Sequence, residues 1–297
     1  MRVYFFSVIF LCTQAFKAYS QDSTSAPAIP KLVFEQGKKY GITMDVKTKV
    51  TQQAMGRPVD FDVNATGVHH YAVTNATEDN TTLHHEVDQI IFSFDGMGQK
   101  RSFNSDSEKD MKGMFGSTIK QYKEKKYDMI IDPTGQVMMS FPEKVDIKEE
   151  DSRLAIVTNM LKDVLDIVQP PKKGTASFFK ILPAKEIVVG DTWNERTSTS
   201  GNVTLTTYTI SEISDTAIIV DYEGNSSVST EAEMMGNKVT TNMKNTFTGK
   251  ITLDPLTRIM REKTMTMDGK GEAETPFGKQ PVTSKVNTVI KLSPPQE

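Results

Sequence analysis

Alternation of apolar and polar residues along most of the chain is the feature that most restricts its fold. Apolar residues fall at every second position from Tyr40 to Val46, and the same period runs from Phe61 to Val73. A period of two places these side chains on one face of a β-strand. Turn signals such as Asp95-Gly96 interrupt the runs, as expected between strands. The sequence therefore predicts a mainly β protein with antiparallel strands.

An internal repeat adds to this prediction. The segment YAVTNATEDNTTLHHEV (71–87) aligns with YTISEISDTAIIVDYEG (208–224) with one gap, and MIIDPTGQVMM (129–139) aligns with ITLDPLTRIM (251–260). In the second pair of aligned segments, each copy has two strands joined through Asp-Pro. This dipeptide suits a turn, because proline fixes φ and Asp accepts hydrogen bonds from the turn backbone. The separation of the copies is far longer than the period of a solenoid.

We therefore expect a duplicated antiparallel β unit that forms a half-barrel or an open curved sheet. The first repeat is predicted at 31–150 and the second repeat at 173–297. A connecting helix with a proline stop is predicted between them, at 151–172.

Two segments have helical rather than strand spacing. Apolar residues recur every three or four positions in 107–122, inside the first repeat, and in 151–168. We expect two amphipathic helices that cover one side of the sheet. They could instead line a pocket for an apolar or lipid-like ligand. The candidate pocket residues are Met111, Met114, Phe115, Leu161 and Leu165.

The N-terminal segment has the parts of a secretory signal. Arg2 is followed by an apolar run, and Ala18 and Ser20 are the small residues expected before a cleavage site. The run is too short to span a bilayer, and no later run is long enough. We expect an exported, periplasmic or extracellular protein that is soluble after cleavage of 1–20, with 21–30 as a flexible lead.

Composition excludes several classes of function. Cys12 is the only cysteine, so the mature chain would have no disulfide, no thiolate metal site and no cysteine nucleophile. The 35 basic residues nearly balance the 38 acidic ones, so the chain lacks the excess of positive charge that is typical of nucleic-acid binding. The sequence contains no P-loop, nucleophile elbow or dinucleotide fingerprint. The chain is therefore predicted not to be an enzyme.

One stretch resembles a known family. LPAKEIVVGDTWNE (182–195) carries a Val-Gly-Asp-Thr-Trp motif after a proline-led strand. This motif is similar to one in uncharacterised secreted bacterial β proteins, which are grouped as a domain of unknown function. The resemblance implies a location in the cell envelope and no particular activity.

All four histidines lie in HHYAVTNATEDNTTLHH (69–85). If this stretch is a hairpin centred on Thr77, His69 faces His85 on the apolar side and His70 faces His84 on the polar side. Opposed imidazoles are close enough to share a metal, and Glu86 would supply a carboxylate. His70, His84 and Glu86 are therefore a candidate zinc or copper site.

The second copy weakens this metal hypothesis. By the alignment, Thr206 and Thr207 replace the first histidine pair, and Val220 and Asp221 replace the second. The fold therefore does not require histidine at these positions. The alternative interpretation is ordinary cross-strand packing.

Methionine is frequent, with 16 in the chain, including Met138-Met139, Met234-Met235 and the alternating Met265 and Met267. Thioethers bind Cu(I), which suggests copper handling. Methionine also fills irregular cores and lines adaptable apolar pockets.

The leading hypothesis is a non-enzymatic binding or scaffold protein of the cell envelope that holds an apolar or lipid-like ligand without a cofactor. The first alternative is a metal-binding protein or metallohydrolase that uses the histidine pair. The second is a structural module that binds another envelope protein.

Overall fold

The structure is a computed structural model that describes residues 30–54, 57–96, 98–144, 146, 161–199, 202–234, 237–275 and 278–296. The predicted signal segment, most of the flexible lead and the 151–160 part of the connecting helix lie outside the described residues.

Twelve strands form one continuous antiparallel sheet. They are β1 (Lys39–Ala54), β2 (Arg57–Ala76), β3 (Thr81–Gly96), β4 (Gln99–Asn104), β5 (Tyr127–Ile131), β6 (Val137–Phe141), β7 (Thr192–Thr199), β8 (Asn202–Ile213), β9 (Ile218–Met234), β10 (Asn237–Leu253), β11 (Met260–Thr275) and β12 (Gly278–Leu292). The order across the sheet is β6-β5-β3-β2-β1-β12-β11-β10-β9-β8-β7, and β4 pairs with β3. The sheet is open, and pairing of β1 with β12 joins the two predicted repeats. The predicted fold class is confirmed.

Burial alternates along the strands as the sequence predicts. Ile42, His69, Leu83, Val220 and Ile251 are fully buried on one face, which we call the inner face. The intervening side chains are mostly half-buried or exposed on the outer face. Period-two apolar patterning therefore sets which face of the sheet is covered.

Two main groups of buried side chains cover the inner face. At one end of the strands, Phe34 and Phe179 from the segments before β1 and before β7 pack on Tyr40 and Tyr71. Nearer the middle of β1–β4, helical residues pack on strand residues such as Val63.

The helices are shorter than predicted. The single helix expected at 107–122 is instead α1 (Glu108–Met111) and α2 (Gly116–Glu124), so that prediction was wrong. A Cβ at Gly116 would collide with the Met111 carbonyl, so the chain turns back at a point where only glycine fits. The described end of the connecting segment forms α3 (Lys162–Leu165) and the 3-10 turn Asp166–Val168.

The two aligned hairpins have the same strand pairing. Tyr71 lies opposite His85 in β2–β3, and Tyr208 lies opposite Tyr222 in β8–β9. The pairing shifts by one residue after Val73 in the first hairpin and after Ile210 in the second. Each of these residues lies two positions beyond the tyrosine of its hairpin. This shared irregularity gives an alignment of the two copies that does not depend on sequence similarity.

That alignment corrects the one read from the sequence. His84 and His85 were aligned with Val220 and Asp221, but their structural counterparts are Asp221 and Tyr222. Tyr71 and Tyr208 are 137 residues apart, and so are His85 and Tyr222. The hairpins therefore align without a gap, and the gap in the sequence alignment shifted the returning strand by one position.

The copies also begin in the same way. Gly37 and Gly190 have φ of 82° and 92°, which glycine adopts readily. Their N–H groups donate to the carbonyls of Val73 and Ile210 at 2.9 and 2.8 Å. The Gly190 turn belongs to the Val-Gly-Asp-Thr-Trp stretch, which therefore has a structural counterpart at the start of β1.

The two Asp-Pro turns match as well. The Asp132 carboxylate accepts hydrogen bonds from the backbone of Thr134 and Gln136 at 2.8 and 2.9 Å. The Asp254 carboxylate accepts from the backbone of Leu256 and Thr257 at 2.9 and 2.8 Å. Each aspartate thus satisfies turn N–H groups, as the sequence predicts.

Candidate functional site

The histidine hairpin has the predicted faces but a different register. His70 lies opposite Glu86, and His84 lies opposite Ala72, so the predicted pairing of His70 with His84 was wrong. The turn is centred later in the sequence than predicted, because Thr77 and Asn80 close it. The Thr77 N–H and hydroxyl donate to the Asn80 carbonyl, and the Asn80 N–H donates to the Thr77 hydroxyl.

His70, His84 and Glu86 nevertheless meet on the outer face. The Glu86 carboxylate lies 3.2 Å from His84 Nε2 and 3.8 Å from His70 Nε2. The other ring nitrogens contact Asp88 at 2.9 Å and Asp128 at 2.7 Å. We call these five side chains the outer histidine cluster.

Ion pairs dominate the outer histidine cluster. Lys126 Nζ lies 2.6 Å from the Glu86 carboxylate and is the main reason that the pKa of Glu86 is lowered. Burial acts to raise this pKa, and the hydrogen bond from His84 lowers it further. Among the described residues, no three metal-binding side chains are arranged to hold a metal ion. The zinc or copper site at His70, His84 and Glu86 stays a prediction.

The other two histidines are fully buried on the inner face. The rings of His69 and His85 stack with centroids 5.4 Å apart, and none of their nitrogens has a hydrogen-bond partner. Burial lowers the pKa of His69 to about 4 and that of His85 to about 3. The nearby backbone of Val164 acts in the opposite direction on His69, and the other imidazoles further lower the pKa of His85. These imidazoles are neutral packing groups at physiological pH.

Four of the five predicted pocket residues, in or next to the helices, are buried or partly buried. Leu161 and Leu165 are buried in the core over β1–β3, while Met111 and Phe115 are partly buried beside them. Met114 is 49% exposed. None of the five lines the three cavities described below, and their role in ligand binding stays a prediction.

The inner face of the second repeat carries an aromatic ladder that the sequence reasoning missed. Trp193, Tyr208, Tyr222 and Phe247 lie on successive strands β7 to β10, with ring centroids 5.1, 5.8 and 6.3 Å apart along the series. Trp193 and Tyr208 are half-buried and nearly parallel. Their strand spacing in the sequence contains the signal, but it is visible only once the register is known.

Glycines make room for the ladder. A Cβ at Gly249 would collide with the Tyr222 ring, and one at Gly224 would collide with Phe247. Tyr222 therefore lies across β10, and its hydroxyl donates to the Thr264 carbonyl at 2.9 Å. The rings lie over the neighbouring strand.

Methionines extend the ladder onto β11. Met265 lies opposite Gly249, and Met267 lies opposite Phe247. Both are half-buried, and Lys263 precedes them on the same face. The described helices pack mainly against β1–β4. Met267 also packs against the buried cluster that includes Leu161 and Leu165. The aromatic ladder, Met265 and Met267 thus form an apolar band across five strands.

Three cavities lie elsewhere. Two overlapping grooves of about 650 and 680 Å³ on β7–β11 are lined mainly by outward-facing polar side chains, including Thr207, Glu223 and Thr248. A cavity of about 450 Å³ lies beside the Asp254 turn and is lined by Tyr40, Met260 and the tail after β12.

The fold and these features define an open antiparallel β-sheet protein with a duplicated strand pattern. The chain belongs to a family of unknown function, DUF6263, whose model matches residues 78–260. The match covers the returning strand of the histidine hairpin, the aromatic ladder and both Asp-Pro turns, while His69 and His70 lie before it. No curated protein matches the chain.

Solved structures show weak likeness. Lipovitellin, from a study of lipid–protein interactions, has a TM-score of 0.47 at 12% identity over 89% of this chain, which spans 26% of the lipovitellin chain. An outer membrane channel from Pseudomonas putida F1 has a TM-score of 0.24 at 8% identity, over 89% of this chain and 98% of that one. DynF from the dynemicin biosynthesis pathway of Micromonospora chersina has a TM-score of 0.20 at 8% identity, over 91% and 86%.

Within the described part of the chain, none of the helices has the length and apolar character needed to cross a membrane.

Proposed function

We propose that the protein is a non-enzymatic, exported binding protein that holds an apolar ligand against the inner face of the second repeat. The observation that carries this proposal is the apolar band from Trp193 to Met267. Its aromatic and thioether side chains supply apolar contact that adapts to ligand shape.

The dimensions of the band suit one hydrocarbon chain. Strands lie about 4.8 Å apart, so five neighbouring strands span about 19 Å. Half of the hydrocarbon core of a bilayer, about 15 Å, corresponds to one lipid chain. Tyr222 and Phe247 are buried, so a chain laid across the strands would contact the half-buried members of the band, which are Trp193, Tyr208, Met265 and Met267.

Trp193 is the only tryptophan, so its fluorescence reports directly on the band. We expect Nile red, an uncharged apolar dye, to bind the purified protein and change Trp193 emission. Replacing Met265 and Met267 together by Thr should weaken dye binding by about tenfold or more, because full burial of one methionine contributes roughly 1.5–3 kcal/mol and about 1.4 kcal/mol corresponds to a tenfold change in affinity.

The control variant is Met138→Thr, because Met138 is exposed on β6, away from the band. It should bind the dye like the wild-type protein. Native mass spectrometry should also detect a co-purifying apolar molecule. Absence of both dye binding and a bound molecule would contradict the proposal.

Metal binding is the second candidate function, favoured by the convergence of His70, His84 and Glu86. A metal would have to replace Lys126 as the partner of Glu86 and release His84 from Asp128. Zinc or copper retained after dialysis by the wild-type protein and lost in His70→Ala and His84→Ala would support this function. Equal metal content in all three proteins would exclude it.

A further inference from the structure

Lys263 is a cation on the inner face of β11. Ile251 on β10 and Ile290 on β12 lie directly opposite it, and both are buried. Desolvation of a charged group is unfavourable unless an opposite charge or hydrogen bonds compensate. An ammonium group in this position therefore needs a partner.

Lys263 has no carboxylate partner within the described part of the chain. Its Nζ lies 5.1 Å from the Tyr222 ring centroid, a cation–π distance, and no acidic oxygen lies within 4.0 Å of it. Burial lowers the pKa of Lys263, and the more distant Glu195 on β7 acts in the opposite direction.

Lysines on the outer face of the same strands are paired differently. Lys250, Lys285 and Lys291 lie 3.6, 3.6 and 3.9 Å from the carboxylates of the acidic residues directly opposite them. The outer face thus balances these charges within the sheet, whereas the inner face leaves Lys263 unbalanced at the end of the apolar band.

We propose that Lys263 binds the anionic head group of the apolar ligand, which is therefore a single-chain amphiphile ending in a carboxylate, of the fatty-acid class. Met265 is the next residue on the same face, and Tyr222 lies under the ammonium group. A carboxylate at Lys263 would thus place its hydrocarbon chain at the start of the band, directed across the ladder toward Trp193. This inference rests on the proposed function.

The test compares dodecanoate with dodecanol, which has the same chain without the charge. Trp193 fluorescence and calorimetry would measure both affinities. We expect the wild-type protein to prefer dodecanoate by about tenfold or more, because hydrogen bonds to charged groups are stronger than neutral ones. Lys263→Met should lose this preference and keep its affinity for dodecanol.

The matched control is Lys291→Met, an outer-face lysine, which should keep the preference. If neither compound binds, the proposed function fails together with the inference. If dodecanoate and dodecanol bind equally well, or if Lys263→Met keeps the preference, only the inference is overturned. Dodecyl phosphate added as a third probe decides the head group, since a preference for it alone would overturn the carboxylate assignment.

Discussion

The two repeats place different groups at equivalent positions of the same strand pairing. In the first repeat, the inner face holds His85 stacked on Tyr127 at 4.6 Å. In the second, the equivalent residues are Tyr222 and Gly249, and the tyrosine ring fills the space that the glycine leaves. At these positions the first repeat has two stacked rings, and the second repeat has one ring that lies over the glycine of the neighbouring strand.

The covering of the two repeats differs in the same way. Val164 in α3 lies over Gly67 in the first repeat, where a Cβ would collide with it. The equivalent residue in the second repeat is Thr204, which is half-buried and has no described helix over it. The comparison indicates that the described helices cover this position in the first copy, whereas the matching position in the second copy is half-buried without them.

The largest expected effect is a dependence of the free energy of unfolding on pH, which comes from the two buried histidines of the first repeat. The folded-state pKa values of His69 and His85 are about 4 and about 3, below the ordinary 6.5. The unfolded chain therefore binds more protons as the pH falls below 6.5, and the free energy of unfolding decreases. Between pH 7 and pH 5 we expect a loss of about 2 kcal/mol for each imidazole.

Urea unfolding at both pH values would measure this loss. The variants His69→Thr and His85→Leu should each reduce the loss by about half, whatever their stability at pH 7. An unchanged loss in both variants would show that these histidines are not the groups responsible.

The second prediction concerns the covering. Gly67→Leu should lower the free energy of unfolding by about 2 kcal/mol, because the new side chain would overlap Val164 and His69. Thr204→Leu at the matching position should change it by less than about 0.5 kcal/mol. Urea unfolding of both variants compares the repeats directly, and equal effects would contradict the difference in covering.

The smallest expected effect concerns the outer face. His84 pairs with Asp128 in the first repeat, and the equivalent pair in the second is Asp221 with Lys250. The double change His84→Asp with Asp128→Lys should alter the free energy of unfolding by less than about 1 kcal/mol, since exposed ion pairs contribute little. Thermal unfolding at pH 7 would measure it, and a larger loss would mean that the outer histidine cluster has a structural role.

Local patterning predicted the faces of the strands and the Asp-Pro turns correctly. Both depend on a period of two or on residues adjacent in sequence. The predicted hairpin register was wrong, because the register depends on hydrogen bonds between Thr77 and Asn80 and on pairing irregularities. Neither of these can be read from the pattern of apolar residues. The break between α1 and α2 was missed for a similar reason, since it depends on close approach of Gly116 to a distant part of the turn.

The candidate site was less predictable because it is assembled across strands. Tyr208 and Phe247 become neighbours of Tyr222 only when β8, β9 and β10 are in register. One signal was available: in MREKTMTMD (260–268), Lys263 shares the period of Met265 and Met267. A lysine in phase with two apolar residues indicates a cation on the covered face.

The lengths of the outermost strands have a consequence for self-association. β4, β6 and β7, at the margins of the sheet, have 6, 5 and 8 residues, while β2 and β9 in the interior have 20 and 17. Exposed backbone groups on a long margin would template the addition of strands from other molecules. Short margins leave few such groups, so a sheet this broad can end without polymerising.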